Sequence, residues 1–226
     1  QEIIIDGGSG IINADVKSEH TDIFLSHLHT DHLVGLPMYP GLSVKGHSTD
    51  ILLPSFLNEN VKGELRRIID PPFWPLGLED YPGDVVIKEF TDTFKTGVAK
   101  IDVIEGNHPG GCGIFSISIE DKRIIYATDY EHDEEGDKAL CDFASDADLL
   151  IYDGAYTDEE YEKFRNFGHS TPRQGIRIAK AAGVERLLIT HHSPAHDDDF
   201  LRSMESDLKN EFKGISFAKE GEIIII

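Results

Sequence analysis

The chain has 226 residues, 39% hydrophobic and 28% charged, which is ample for a buried core and excludes wholesale disorder. Lys and Arg number 21 against 42 Asp and Glu, a formal charge of −21, which excludes a broad surface for gripping a long nucleic-acid backbone. No apolar run reaches the roughly 18 residues of a membrane-spanning helix. Cys112 and Cys141 lack the close spacing of a disulfide framework or thiolate metal site, which suits a reducing, cytoplasmic setting.

In chain order, Ile3-Ile4-Ile5-Asp6 followed by Gly7-Gly8 reads as a buried strand closing on a turn. The chain opens on Gln1 directly before this core-like run, so residues upstream of it are expected. Residues 21–26 predict a short strand and residues 42–46 another, while residues 50–70 carry apolar positions at helical spacing up to Pro71-Pro72. Three strand-like runs lie between Val85 and Glu120, and the turn-rich stretch between the last two holds His108. Residues 123–128 predict a further strand ending at Asp129. Beyond it strands (149–152, 186–190, 222–226) alternate with helices (158–164, 172–182, 197–213). Thr171 is placed as N-cap, Pro172 as first helical residue and Gly183 as the stop. Residues 129–160, with thirteen acids against one Lys, read as helix surface and loop. Strands first and β-α-β units after predict an α/β fold, two sheets between helices, as one domain over residues 1–226.

The strongest chemical signal is His27-Leu28-His29-Thr30-Asp31-His32, directly after a predicted strand. Two histidines two apart on extended backbone converge on one ion, and the following Asp and His, at a turn, can address a second. Imidazole and carboxylate donors suit Zn²⁺, with Mn or Fe as alternatives. A solvated loop that happens to be rich in histidine is the bland alternative, and four potential ligands in six residues argue against it.

This H-x-H-x-D-H motif resembles that of the metallo-β-lactamase superfamily, as does the order of the later candidates: His108 in N-H-P-G-G, Asp129 ending I-I-Y-A-T-D, and His191 ending L-L-I-T-H. The resemblance implies a four-layer αββα sandwich that lacks its first hairpin in this chain, with two divalent metal ions at one edge. It assigns His27, His29 and His108 to one ion, Asp31, His32 and His191 to the other, and Asp129 to both, with Asp6 supporting the loop. His192 competes with His191, which is preferred because it directly follows the strand.

Gly168-His169-Ser170-Thr171 resembles the H-S-T segment of the ribonuclease Z branch and its phosphodiesterase relatives, which makes His169 a catalytic candidate beside Asp31. An N-capping turn would look similar. In place of that branch's H-E-A-T segment stand Tyr152-Asp153-Gly154-Ala155, and only about twenty residues separate His108 from Asp129, leaving no room for a tRNA-gripping arm. The resemblance is closest to compact phosphodiesterases of small molecules and cyclic nucleotides, in which a metal-bridging hydroxide attacks phosphorus and His169 would protonate the leaving oxygen. Formal bookkeeping over two divalent ions, Asp31, Asp129 and one hydroxide leaves about +1, enough to attract a small anion at short range inside an acidic envelope. The expected partner is therefore a small phosphodiester, with no long nucleic acid and no membrane; the sequence leaves the oligomeric state open, a homodimer included. A thioester or lactone hydrolase and a non-catalytic metal sensor are the alternatives. Lesser candidates are Glu131 and His132 after Asp129, His196 with Asp197 and Asp198, Cys112 as a non-ligand, and Phe73-Trp74-Pro75 as a pocket wall or plain packing.

Overall fold

Four runs rich in β-branched residues become the first sheet in the computed structural model, which describes residues 1–226 in two compact units, 1–98 and 99–226. In the first unit β1 (Glu2–Ile5), β2 (His20–Phe24), β3 (Ser48–Pro54) and β4 (Asp84–Phe90) lie in that order, all parallel. Helix α1 (Val61–Ile69) forms the crossover from β3 to β4 and buries Val61, Leu65 and Ile69, three positions on one helical face. They pack with Ile23, Leu25, Ile51 and Leu53, at about 1.5–3 kcal/mol for each fully buried side chain. The short β5 (Thr93–Lys95) brings Phe94 against Phe24 and Phe90, ring centroids 5.8 and 6.0 Å apart.

Parallel strands end on one edge of their sheet, and the loops after those ends are where α/β sheets hold their chemistry. Asp6 follows β1 and Ser26-His27 follow β2, so both belong to that edge. The connection from β2 to β3 carries the histidine motif and folds as short 3₁₀ turns at Thr30–His32, Leu36–Met38 and Pro40–Ser43.

The second unit joins six strands in the order β11-β10-β9-β8-β7-β6, with β6 (Lys100–Gly106), β7 (Cys112–Ile119) and β8 (Lys122–Ala127) as an antiparallel meander. From β8 through β9 (Leu149–Asp153), β10 (Leu187–Thr190) and β11 (Ile215–Phe217) every pairing is parallel. Its helices are α2 (Glu134–Ala144), α3 (Asp158–Tyr161), α4 (Pro172–Ala182) and α5 (Asp198–Leu208). The core joins Ile125, Leu150, Tyr152, Ala179, Leu187 and Ile189. Because β6 runs in the same direction as β8, β9 and β10, His108, Asp129, Asp153 and His191 all follow or end strands at one edge.

The Pro172–Ala182 helix has the predicted bounds; Thr171 Oγ1 accepts from the Gln174 N–H at 3.2 Å, and Gly183 stops the helix at φ +73°. Three expectations are corrected. Residues 42–46 are no strand, since Pro40 starts a 3₁₀ turn that runs into the left-handed Gly46 (φ +85°). The helical spacing over 50–70 holds only from Val61; residues 48–54 are a central strand, buried by partners on both sides that local periodicity does not reveal. The last strand is Ile215–Phe217 and not 222–226. Ala218 N–H still bonds Ile189 O at 2.8 Å, but the turn at Gly221 (φ +73°) leads the chain away and leaves Ile223 and Ile225 exposed. No helix is long and apolar enough to cross a membrane.

Candidate metal centre

In the first unit one buried carboxylate organises the histidine motif. Asp6, at φ +63°, accepts the Ser26 N–H at 2.7 Å, the Ser26 hydroxyl at 2.9 and 3.0 Å, and the His32 Nδ1–H at 2.8 Å. The Ser26 oxygen in turn accepts from His27 Nδ1 at 3.0 Å. Donation through Nδ1 fixes the tautomer and puts the ligand lone pair of His27 and His32 on Nε2. The His27 ring lies 4.4 Å from that of His29 and 4.3 Å from that of His32, and Asp31 Oδ2 is 3.5 Å from His32 Nε2. The loop stays compact through backbone contact: a Cβ on Gly35 would sit 2.1 Å from Gly8 O, so only glycine fits there. The four motif side chains are thus held as neighbours, with donors of the kind that fit divalent cations.

In the second unit the centre of the cluster is Asp129, almost fully buried. Its Oδ1 lies 2.9 Å from His191 Nε2 and its Oδ2 3.7 Å from His108 Nε2. The two oxygens of one carboxylate therefore face two different histidines. His108 donates through Nδ1 to Gly168 O at 2.9 Å, again leaving Nε2 as the ligand atom. His191 has a left-handed backbone (φ +57°), whereas its neighbour His192 stacks on Phe217 at 5.2 Å and is pushed towards its neutral form by burial. His191, not His192, faces the carboxylate. Ligand-type atoms of Asp129, Asp153, His169 and His191 all lie within 4.8 Å of one another.

His169 donates through Nδ1 to Asp153 Oδ2 at 2.9 Å and stacks on the His191 ring, centroids 4.7 Å apart and 20° from parallel. Asp153 has no exposed surface and also accepts the Ala155 and Ser170 N–H groups. It stands in the Tyr152-Asp153-Gly154-Ala155 segment, which in sequence is only a departure from the H-E-A-T pattern; the usable signal is a carboxylate at a strand end.

Glu131, in sequence a lesser pocket candidate with a solvated acidic loop at least as good a reading, is buried. Its Oε1 accepts the Tyr161 hydroxyl at 3.0 Å and the Asn166 N–H at 2.7 Å, and its Oε2 the Gly168 N–H at 2.8 Å. Those bonds hold the segment that leads into His169, with Asn166 (φ +67°) and Gly168 (φ +90°) both left-handed. A Cβ on Gly168 would meet His108 Nδ1 at 2.1 Å. His132 donates or accepts at Ser170 Oγ, 2.8 Å away, and burial pushes it towards its neutral form. His196 Nε2 sits 3.0 Å from both oxygens of Glu160, and Asp197 caps α5 by accepting the Phe200 N–H, which accounts for that acidic run. Cys112 donates its thiol to the Asp129 carbonyl. Trp74 donates to the Tyr81 hydroxyl and Phe73 is exposed, so that segment is tied by packing and one hydrogen bond.

Residues 11–192 match the β-lactamase superfamily domain. The chain belongs to that superfamily. Among curated relatives, it is 26% identical over 235 residues to a ribonuclease Z of Latilactobacillus sakei, covering 84% of this chain and 75% of the relative. Among solved structures, human tRNase Z, short form, superposes with a TM-score of 0.70 at 20% identity, over 99% of this chain and 88% of the other. A diphosphatase from the PhnP family gives 0.72 at 16% identity, over 99% and 79%. The fold is the metallo-β-lactamase fold, and a superfamily member with these intact donor sets is a metal-dependent hydrolase.

Proposed function

We propose that the chain is a phosphodiesterase with two divalent metal ions, acting on a small diester such as a cyclic nucleotide. The observation that carries this reading is Asp129, whose two oxygens face His191 and His108. His27, His29 and His108 would hold one ion, Asp31, His32 and His191 the other, and Asp129 both. Zinc suits these donors, with manganese or iron as alternatives. When bound, such ions lower the pKa of water and polarise a phosphoryl oxygen.

The chain's own residues supply the rest. His169 would hold a proton at Nε2, and Asp153 fixes the ring through Nδ1. A leaving alkoxide at that nitrogen is protonated as it departs, a role worth about 10²–10⁴-fold. Asp6 holds His27 and His32 in the liganding tautomer through Ser26 and directly. The acidic envelope of −21 repels long polyanions, while a small diester need approach only the centre itself. A ribonuclease Z relative and a diphosphatase neighbour, both named for phosphorus–oxygen chemistry, support the diester over a thioester or lactone.

The test is a turnover panel of bis-p-nitrophenyl phosphate, cyclic nucleotides and a thioester, with metal analysis of the same sample. The expected outcome is diester turnover with two ions per chain, lost in His169→Ala at unchanged metal content. Thioester turnover alone, or His169→Ala at full diester rate, overturns it.

A further inference from the structure

The rings around His169 do not stop at the metal cluster. His169 meets the edge of Tyr156 at 5.9 Å (77°), Tyr156 stacks on Phe164 at 5.0 Å (19°), and Phe164 meets Phe167 at 5.7 Å (78°). The series runs outward, to Phe164 at 39% exposure and Phe167 at 61%. Two large aromatic side chains held in water within four residues of each other are costly unless something covers them.

The ridge is fixed, not loose. Glu131 grips the backbone at Asn166 and Gly168, on either side of Phe167, and takes the Tyr161 hydroxyl three residues before Phe164. Other residues of this segment, Tyr161, Arg165 and Asn166, wall a cavity of about 490 Å³ together with His108, Pro109 and His132. That is within the range of small-molecule sites. One rigid segment therefore carries an exposed ring surface, one wall of a cavity and, at its end, His169.

We infer that Tyr156, Phe164 and Phe167 form a subsite for a flat aromatic ring, such as a nucleobase, on the leaving group of the substrate. This rests on the phosphodiesterase reading, in which His169 faces that leaving group. The occupant follows from continuity: a group protonated by His169 lies at the inner end of the ridge. Ring faces bind any planar π-system with little regard to its hydrogen-bonding edge. A rigid platform also binds without the entropy cost of ordering a loop.

The test compares adenosine 2′,3′-cyclic phosphate with glycerol 1,2-cyclic phosphate on the full, metal-loaded chain. The two share a five-membered cyclic phosphate and an alkoxide leaving group, and only one carries a base. Wild type is expected to show the lower KM for the adenosine compound. Phe167→Ala should raise that KM by roughly five- to tenfold while kcat and the glycerol compound stay unchanged. Phe164→Leu, which keeps the apolar bulk and removes the ring face, should act in the same direction. Equal KM values in wild type, or a shift of both substrates alike, overturn the subsite. Calorimetric titration with adenosine and with ribose reads the ridge without turnover: adenosine binding lost in Phe167→Ala supports it, and no preference for adenosine in wild type overturns it. Adenosine binding without hydrolysis of either diester would leave the ridge standing and sink the phosphodiesterase reading. A Phe167→Ala variant that turns a dimer into a monomer at unchanged KM makes the ridge a subunit contact and overturns its substrate role.

Discussion

His169 Nδ1 lies 2.9 Å from Oδ2 of Asp153, a carboxylate with no exposed surface that also takes the Tyr130, Ala155 and Ser170 backbone N–H groups. In the proposed reaction the other ring nitrogen does the chemistry and Asp153 is a positioning residue. Asp153→Asn preserves size but can turn an amide N–H₂ towards the ring and select the wrong tautomer. Diester turnover should fall by about 10²–10⁴-fold. Metal content by mass spectrometry should stay as in wild type, because the proposed ligands are untouched; metal lost in parallel with activity would make Asp153 a ligand instead.

Asp6 accepts from Ser26 and from His32 at once. Asp6→Asn halves its accepting oxygens and frees both histidine rings to adopt the other tautomer. Metal affinity, read by chelator competition, should weaken by roughly 10–100-fold. An unchanged affinity would show that the loop holds its histidines without this carboxylate.

Glu131 makes three bonds to one segment, two of them to backbone N–H groups. Glu131→Gln replaces one accepting oxygen by a donor and leaves a buried N–H without an acceptor, a loss of about 1–3 kcal/mol. Hydrogen exchange at Asn166 and Gly168 should accelerate while exchange in β8 and β9 stays slow. Uniform acceleration across the unit would mean that the segment opens only with global unfolding.

Tyr161 donates its hydroxyl to the Glu131 carboxylate, and burial and that neighbouring charge push its pKa up to about 12. A folded-state pKa above the unfolded value near 10 means stability that is fully present below about pH 10 and is lost as pH rises towards 12. Wild type should therefore unfold at a lower temperature at pH 12 than at pH 10 by a margin larger than that of Tyr161→Phe. Parallel curves for the two proteins would place the phenol's titration where it is in the unfolded chain.

How much of the molecule is legible in its sequence depends on the range of the interactions involved. The histidine motif is read directly because its four candidate ligands lie within six residues, and the Pro172–Ala182 helix because Thr171, Pro172 and Gly183 act within one turn of its ends. Glu131 is visible only as a lesser candidate, and its hold on the 161–168 segment escapes such reading because those partners lie 30 to 37 residues further along the chain. Residues 48–54 resemble part of a helix for a related reason: a strand paired on both sides shows little alternation, and its ladder partners are distant in sequence. Asp153 is visible as a residue and not as a relationship, since only the packing of β9 beside the 168–170 turn brings it to His169.

Gly168 sets a boundary for anyone wishing to retune this protein. With φ at +90° and His108 Nδ1 at 2.1 Å from where a Cβ would stand, no other residue fits without dislodging that imidazole. A saturation library over Phe164, Arg165 and Phe167 should return many folded clones with altered substrate profiles, whereas the same library extended by one codon, to position 168, should return almost none that keep their histidine in place.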